Sequence, residues 1–132
     1  MSVDGYLLGY DIGSSSVKAT VLEISTGYVV ASATSPDTSE LEIIAQKPGW
    51  AEQHPDTWWV HVQNATRQLR ASAHINFHDI QAIGISYQMH GLVMLDRNFQ
   101  PLAPSIIWCD SRAVGVGRQA LEDLGEEQCM SH

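Results

Sequence analysis

The sequence predicts an α/β fold, a mixed β-sheet with flanking helices, and three observations carry that expectation. Three segments rich in β-branched and apolar residues, separated by short turns, open the chain as a meander. One long amphipathic helix follows. A further apolar segment comes after the helix, and strand–helix–strand order is the usual way to join two parallel strands.

In order along the chain, residues 6–8 (YLL) read as a short buried strand and residues 17–24 (VKATVLEI) as the second. Ser25-Thr26-Gly27 is a turn and residues 28–33 (YVVASA) the third strand. Residues 35–40 are polar, contain Pro36 and read as loop; residues 41–44 (LEII) read as a short edge strand and Pro48-Gly49-Trp50 as a turn. Pro55 suits the first position of a helix, and Glu52 and Asp56 place negative charge at the positive end of its dipole. Trp58, Val62, Ala65 and Leu69 recur at helical spacing and form one apolar face, with Arg67 and Arg70 near the helix end. Trp58 belongs to the core, whereas its neighbour Trp59 points elsewhere. A polar connection at residues 74–79 leads to residues 80–86 (IQAIGIS), a buried strand expected to run parallel to the first. Residues 92–95 and 105–108 are expected as short strands, with a turn at 96–100. Asp110 or Ser111 caps a last helix near residues 112–124, in which Val114, Leu121 and Leu124 share a face. Gly125 is its C-cap, and Glu126-Glu127 a solvated helix end.

With 132 residues and 44% apolar content, the chain fits one globular domain. A formal charge of −8 argues against nucleic acid or an anionic membrane as partner. No apolar run approaches the roughly 18 residues of a membrane span, and no basic segment with an apolar core opens the chain as a signal peptide would. Cys109 and Cys129 form no metal or redox motif, and the expected location is cytoplasmic. His74 and His78 have a helical metal-ligand spacing, but they lie in a polar, irregular segment with no third ligand nearby.

The most informative stretch is Gly9-Tyr10-Asp11-Ile12-Gly13-Ser14-Ser15-Ser16-Val17-Lys18. An acid, a glycine and three hydroxyls lie between two strands. Such a turn offers N–H groups and hydroxyls to phosphate oxygens, and Asp11 is poised to hold Mg²⁺ through water. It lacks the spacing of a Walker A loop, and a strand follows where that loop would open a helix. An ordinary β-turn of small polar residues fits the local pattern equally well.

Four stretches in this order resemble the start of the FGGY carbohydrate kinases: the turn just described; Gly49-Trp50-Ala51-Glu52-Gln53-His54-Pro55-Asp56-Thr57-Trp58-Trp59; Gln88-Met89-His90-Gly91; and Ile107-Trp108-Cys109-Asp110-Ser111-Arg112. Within the family, the Gln-Met-His-Gly block is most similar to that of the xylulokinases. The resemblance implies the actin-like (ribonuclease H-like) fold, with ATP and sugar held in a cleft between two domains. It implies that Asp11 organises Mg²⁺ and the transferring phosphoryl group, that Gly13, Ser14, Ser15 and Ser16 cradle phosphates, and that Lys18 offsets their charge. Met89, His90 and Trp108 would meet D-xylulose, and Asp110 and Arg112 would either touch substrate or hold their loop. Each residue also has a plainer reading: Met89 as core filler, His90 as a packed histidine, Trp108 as a core residue.

Family members are about 500 residues long, several times one domain. Residues 1–132 are therefore expected to be a single incomplete domain, the first part of the N-terminal domain, with the general base and adenosine pocket elsewhere. The expected function is ATP-dependent phosphorylation of D-xylulose, with the isolated chain inactive. Another FGGY kinase acting on gluconate, glycerol or ribulose is the alternative. A non-catalytic sugar-binding or regulatory module and a structural interaction domain are readings of a different class. An incomplete sheet would leave apolar surface open and favour self-association.

Overall fold

A computed structural model describes residues 5–131. The meander is present: β1 (Tyr6–Ile12), β2 (Val17–Glu23) and β3 (Val29–Ser35) pair antiparallel in succession. Helix α1 (Pro55–Ser72) and a 3₁₀ turn (Phe77–Asp79) lead into β5 (Ile80–Tyr87), which pairs parallel to β1 as the crossover predicts. The sheet order is β3-β2-β1-β5. A second, two-stranded sheet joins β4 (Glu52–Gln53) to β6 (Ser105–Ile106), and helices α2 (Val114–Leu124) and α3 (Glu126–Met130) follow.

Alternation sorts the side chains of the main sheet. Leu8 from β1 and Val17, Ala19 and Val21 from β2 meet Ala65 and Leu69 of α1, and these six are buried as one core. Tyr6, Tyr10, Ile12 and Val62 pack around them. Two polar ties fix the helix on the sheet: Tyr10 Oη lies 2.7 Å from Thr66 Oγ1, and Ser35 Oγ lies 2.8 Å from His61 Nδ1. The helix has Pro55 in its first turn and no side-chain cap at His54.

Several expectations are corrected. Gly9 to Ile12 continue the first strand, so Asp11 sits at a strand end rather than in the turn. Residues 41–44 form no strand; Ile44 alone bridges to Glu52. Glu52 lies in β4 and gives its charge to Arg112, not to the helix dipole. Residues 92–95 contribute isolated bridges, and the strand expected at 105–108 contracts to two residues. Asp110 and Ser111 do not cap α2, whose N-cap is Ala113, because both are bonded to the segment at 49–51. Trp58 is half-buried, and its indole donates to Gln53 Oε1 over 3.0 Å. Strand β5 is exposed rather than buried, because α1 packs over β2 and β3 and no described element covers β5. Gly125 ends α2 as expected, at a φ of 84° that suits glycine.

Leu69 is wholly enclosed between α1 and the sheet. Leu69→Ala should lower unfolding free energy by about 2–5 kcal/mol in urea titration, whereas exposed Trp59→Ala should change it by less than about 1 kcal/mol.

Candidate functional site

The β1–β2 hairpin closes through residues 13–16, and all the carbonyls of its three serines turn inward. Ser14 O accepts from Gln53 Nε2 at 2.6 Å, Ser15 O from the Leu41 N–H at 2.8 Å, and Ser16 O from the Gly13 N–H at 3.0 Å. A Cβ on Gly13 would stand 3.1 Å from Ser16 O, so glycine lets the turn close this tightly. Among the described residues, the N–H groups of Ser14, Ser15 and Ser16 have no protein acceptor. With the carbonyl dipoles withdrawn and the N–H groups free, the turn is arranged to receive an anion. The Ser14 hydroxyl accepts from Trp108 Nε1 at 3.1 Å, which leaves its own proton to donate.

Asp11 and Lys18 are register partners across the hairpin, and Ser86 of β5 flanks Asp11 on the other side. Alternation puts these three on the sheet face opposite α1. Asp11 and Lys18 are exposed and stand beside the turn, at the carboxyl end of the parallel pair β1–β5, where open α/β sheets bind ligands.

Met89 and His90 follow directly on β5 and line a groove of about 450 Å³ with Ile12, Trp58, Trp59 and Tyr87. The groove opens on the α1 side, so the structure sets Met89 and His90 across the strand ends from Asp11 and Lys18. His90 has a φ of 62°, a left-handed conformation uncommon outside glycine. Gln88 is bound to β1 by its N–H, which donates to Ile12 O at 3.2 Å.

Trp108 and Asp110 are held by a brace between residues 49–53 and 107–112. Arg112 donates to both carboxylate oxygens of Asp110, at 2.8–3.0 Å, and to Glu52 Oε1 at 2.7 Å. Its guanidinium lies 3.8 Å from the centre of the Trp50 ring. Asp110 also accepts from the Ala51 N–H at 2.6 Å, and the Ser111 N–H donates to Gly49 O at 2.8 Å. Asp110 and Arg112 thus bind each other and hold their loop. Trp108 is 56% exposed, with its ring edge on Ser14. Among the described residues, no cluster of three His, Cys, Asp or Glu side chains is arranged to hold a metal ion.

Sequence reasoning missed Gln53 and Glu52 as site-building residues. The signal was present: two polar residues between an apolar turn and a helix start, which would be buried only if partnered. Leu41, expected in an edge strand, serves the turn through its backbone N–H.

The model for the FGGY family of carbohydrate kinases, N-terminal domain, matches residues 6–132. A xylulose kinase of Klebsiella pneumoniae is 39% identical over 116 residues, which are 88% of this chain and 22% of that protein. The crystal structure of a "xyloylose kinase" from Brucella ovis superposes with a TM-score of 0.79 at 35% identity, over 89% of this chain and 24% of that one. A gluconate kinase from Lactobacillus acidophilus gives the same TM-score at 29% identity, over 93% and 23%. The chain spans less than a quarter of the length of the Klebsiella relative.

The Arg112 guanidinium, aided by the Ala51 and Arg112 N–H groups, holds the Asp110 carboxyl well below the usual carboxylate range, against the opposing effect of burial. A carboxyl lowered on folding contributes stability above its unfolded pKa, near about 4, and loses it as pH falls toward the folded value. Asp110→Asn should therefore melt at lower temperature than the parent at neutral pH. The gap should narrow below about pH 4. A gap independent of pH in thermal unfolding would exclude the carboxylate as its source.

Proposed function

The chain belongs to the FGGY family of carbohydrate kinases, and from that membership we propose that it forms one wall of the active cleft of a xylulose kinase. The reaction transfers the γ-phosphoryl group of ATP to the terminal hydroxyl of D-xylulose, giving D-xylulose 5-phosphate and ADP. The observation that carries this reading is the turn at residues 13–16, with its carbonyls inward and its N–H groups free.

In this reading Gly13, Ser14, Ser15 and Ser16 receive phosphate oxygens through N–H groups and hydroxyls, and Lys18 offsets their charge. Phosphoryl transfer rests on positioning and on charge stabilisation, which such a turn supplies. One exposed carboxylate, Asp11, fits Mg²⁺, which keeps several waters and takes few protein ligands. Bound there, the ion would neutralise charge on the phosphates. Met89 and His90 meet the sugar from the groove beside β5, and Trp108 offers it a ring face. Asp110 acts by keeping Trp108 against Ser14. The general base lies outside residues 1–132, so half the cleft positions half the reactants and the chain alone does not turn over.

The fold similarity to a gluconate kinase favours gluconate as the second substrate to test. A cytoplasmic location is part of the proposal; no described helix is long and apolar enough to cross a membrane.

ADP release with Mg-ATP and D-xylulose should match the sugar-free control for residues 1–132. It should exceed that control for a longer polypeptide carrying them. Turnover by the 132-residue chain would overturn the incomplete-site reading, and preference for gluconate in a substrate panel would overturn xylulose.

Self-association belongs to the same proposal. Strand β5 carries no charged residue, and Ile83, Ile85 and Tyr87 are exposed on it beside an edge that no described strand pairs. Light scattering should show a mass rising with concentration. A monomer throughout would count against an uncovered sheet.

A further inference from the structure

We infer that Gln53 is a positioning residue for the phosphate-binding turn, setting the nucleotide affinity of the site without touching the nucleotide. The inference rests on the kinase reading above for its ligand, and on geometry alone for the clamp.

Gln53 is 2% exposed, on the two-residue strand β4, and both the nitrogen and the oxygen of its amide are hydrogen-bonded. Trp58 Nε1 can only donate, so the atom facing it is Gln53 Oε1. The amide nitrogen is thereby directed at two carbonyls, Ser14 O at 2.6 Å and Glu42 O at 3.3 Å. Of the three inward carbonyls of the turn, that of Ser14 is the one held by a side chain; the others are held by backbone N–H groups. Without that donor, the Ser14 carbonyl would be left unsatisfied or would rotate outward. An outward carbonyl presents negative potential where the turn is to receive phosphate, and its peptide flip withdraws the Ser15 N–H. Ser14 is fixed again at its hydroxyl by Trp108, so the clamp grips one residue from two segments.

The test uses Gln53→Leu, which removes donor and acceptor, and Gln53→Glu, which retains an acceptor for Trp58 and donates to Ser14 O only when protonated. Asp11 and Lys18 stand beside the turn in parent and variants alike, so their charges are common to both, and the groups facing Gln53 itself add none that competes. Glu42 contributes its backbone carbonyl, Glu52 is engaged by Arg112, His54 faces Asp56, and the turn, Trp58 and Ser105 carry no titratable side chain.

In a longer polypeptide carrying residues 1–132, Gln53→Leu should raise the KM for Mg-ATP about tenfold, the equivalent of one buried hydrogen bond, and shift that for the sugar much less, through the released Trp58 indole alone. Gln53→Glu should match Gln53→Leu near neutral pH and recover toward the parent KM as the pH approaches about 5, since burial raises a carboxyl pKa. Equal shifts in both KM values, or no recovery of Gln53→Glu in acid, would overturn the inference.

A second measurement needs no catalysis. Hydrogen exchange on the 132-residue chain should show faster exchange at the Gly13 and Leu41 amides in Gln53→Leu, with the amides of β1 and β2 unchanged. Unchanged exchange at Gly13 and Leu41 would overturn the clamp. If the parent polypeptide shows no kinase activity, the kinase reading fails, and the exchange result still decides whether Gln53 holds the turn.

Discussion

Two adjacent polar side chains, Glu52 and Gln53, are buried on opposite sides of a two-residue strand, and much of the site follows from satisfying them. A buried polar group without a partner is costly, more so when charged. Glu52 therefore recruits Arg112, and Arg112 brings Asp110 and the Trp50 ring. Gln53 recruits the Ser14 carbonyl and the Trp58 indole. Through that pair, segments far apart in the chain are fixed to one another: the hairpin turn, the entry to α1, and the loop bearing Trp108. The main sheet supplies the platform, but β4 supplies the assembly.

That platform is asymmetric. Helix α1 covers the meander and leaves β5 open, so the strand ends present two surfaces. Asp11, Lys18 and Ser86 are on the face away from α1, while Met89 and His90 line a groove on the α1 side. The turn at 13–16 lies at the boundary. An anion and a neutral hydroxylated molecule can thus approach the same strand ends from different sides, the one meeting N–H groups and a lysine, the other aromatic and sulfur-bearing side chains.

The parts of the fold legible in the sequence were those with a period. The meander, α1 and the parallel return of β5 are read from alternation and helical spacing, because those patterns reflect local burial. The parts that were not legible depend on what lies elsewhere. Residues 41–44 look like a strand, yet among them only Ile44 makes a β-bridge, and Leu41 is occupied by the turn. The apolar run of β5 implies burial that no described element provides. At the site, the acid, glycine and serines suggested phosphate chemistry but left a plain turn equally open. What separates the two is the direction of three carbonyls, set by Gln53, Leu41 and Gly13 from distant or backbone positions. Asp110 and Arg112 were read with two roles open, and their bonds to each other, to Ala51 and to Glu52 tie their loop to the segment before α1.

The left-handed backbone at His90 carries a consequence for how that position can vary. Glycine, asparagine and aspartate enter this conformation readily, whereas a β-branched side chain is strained there whatever it touches. An alanine or valine at 90 therefore confounds two effects, the loss of an imidazole and the displacement of the turn that follows β5. Asparagine and glycine preserve the path of the chain while removing the ring. The evolutionary reach of this position is bounded by torsion angle before it is bounded by ligand, and a survey of tolerated residues there would report on backbone geometry as much as on recognition.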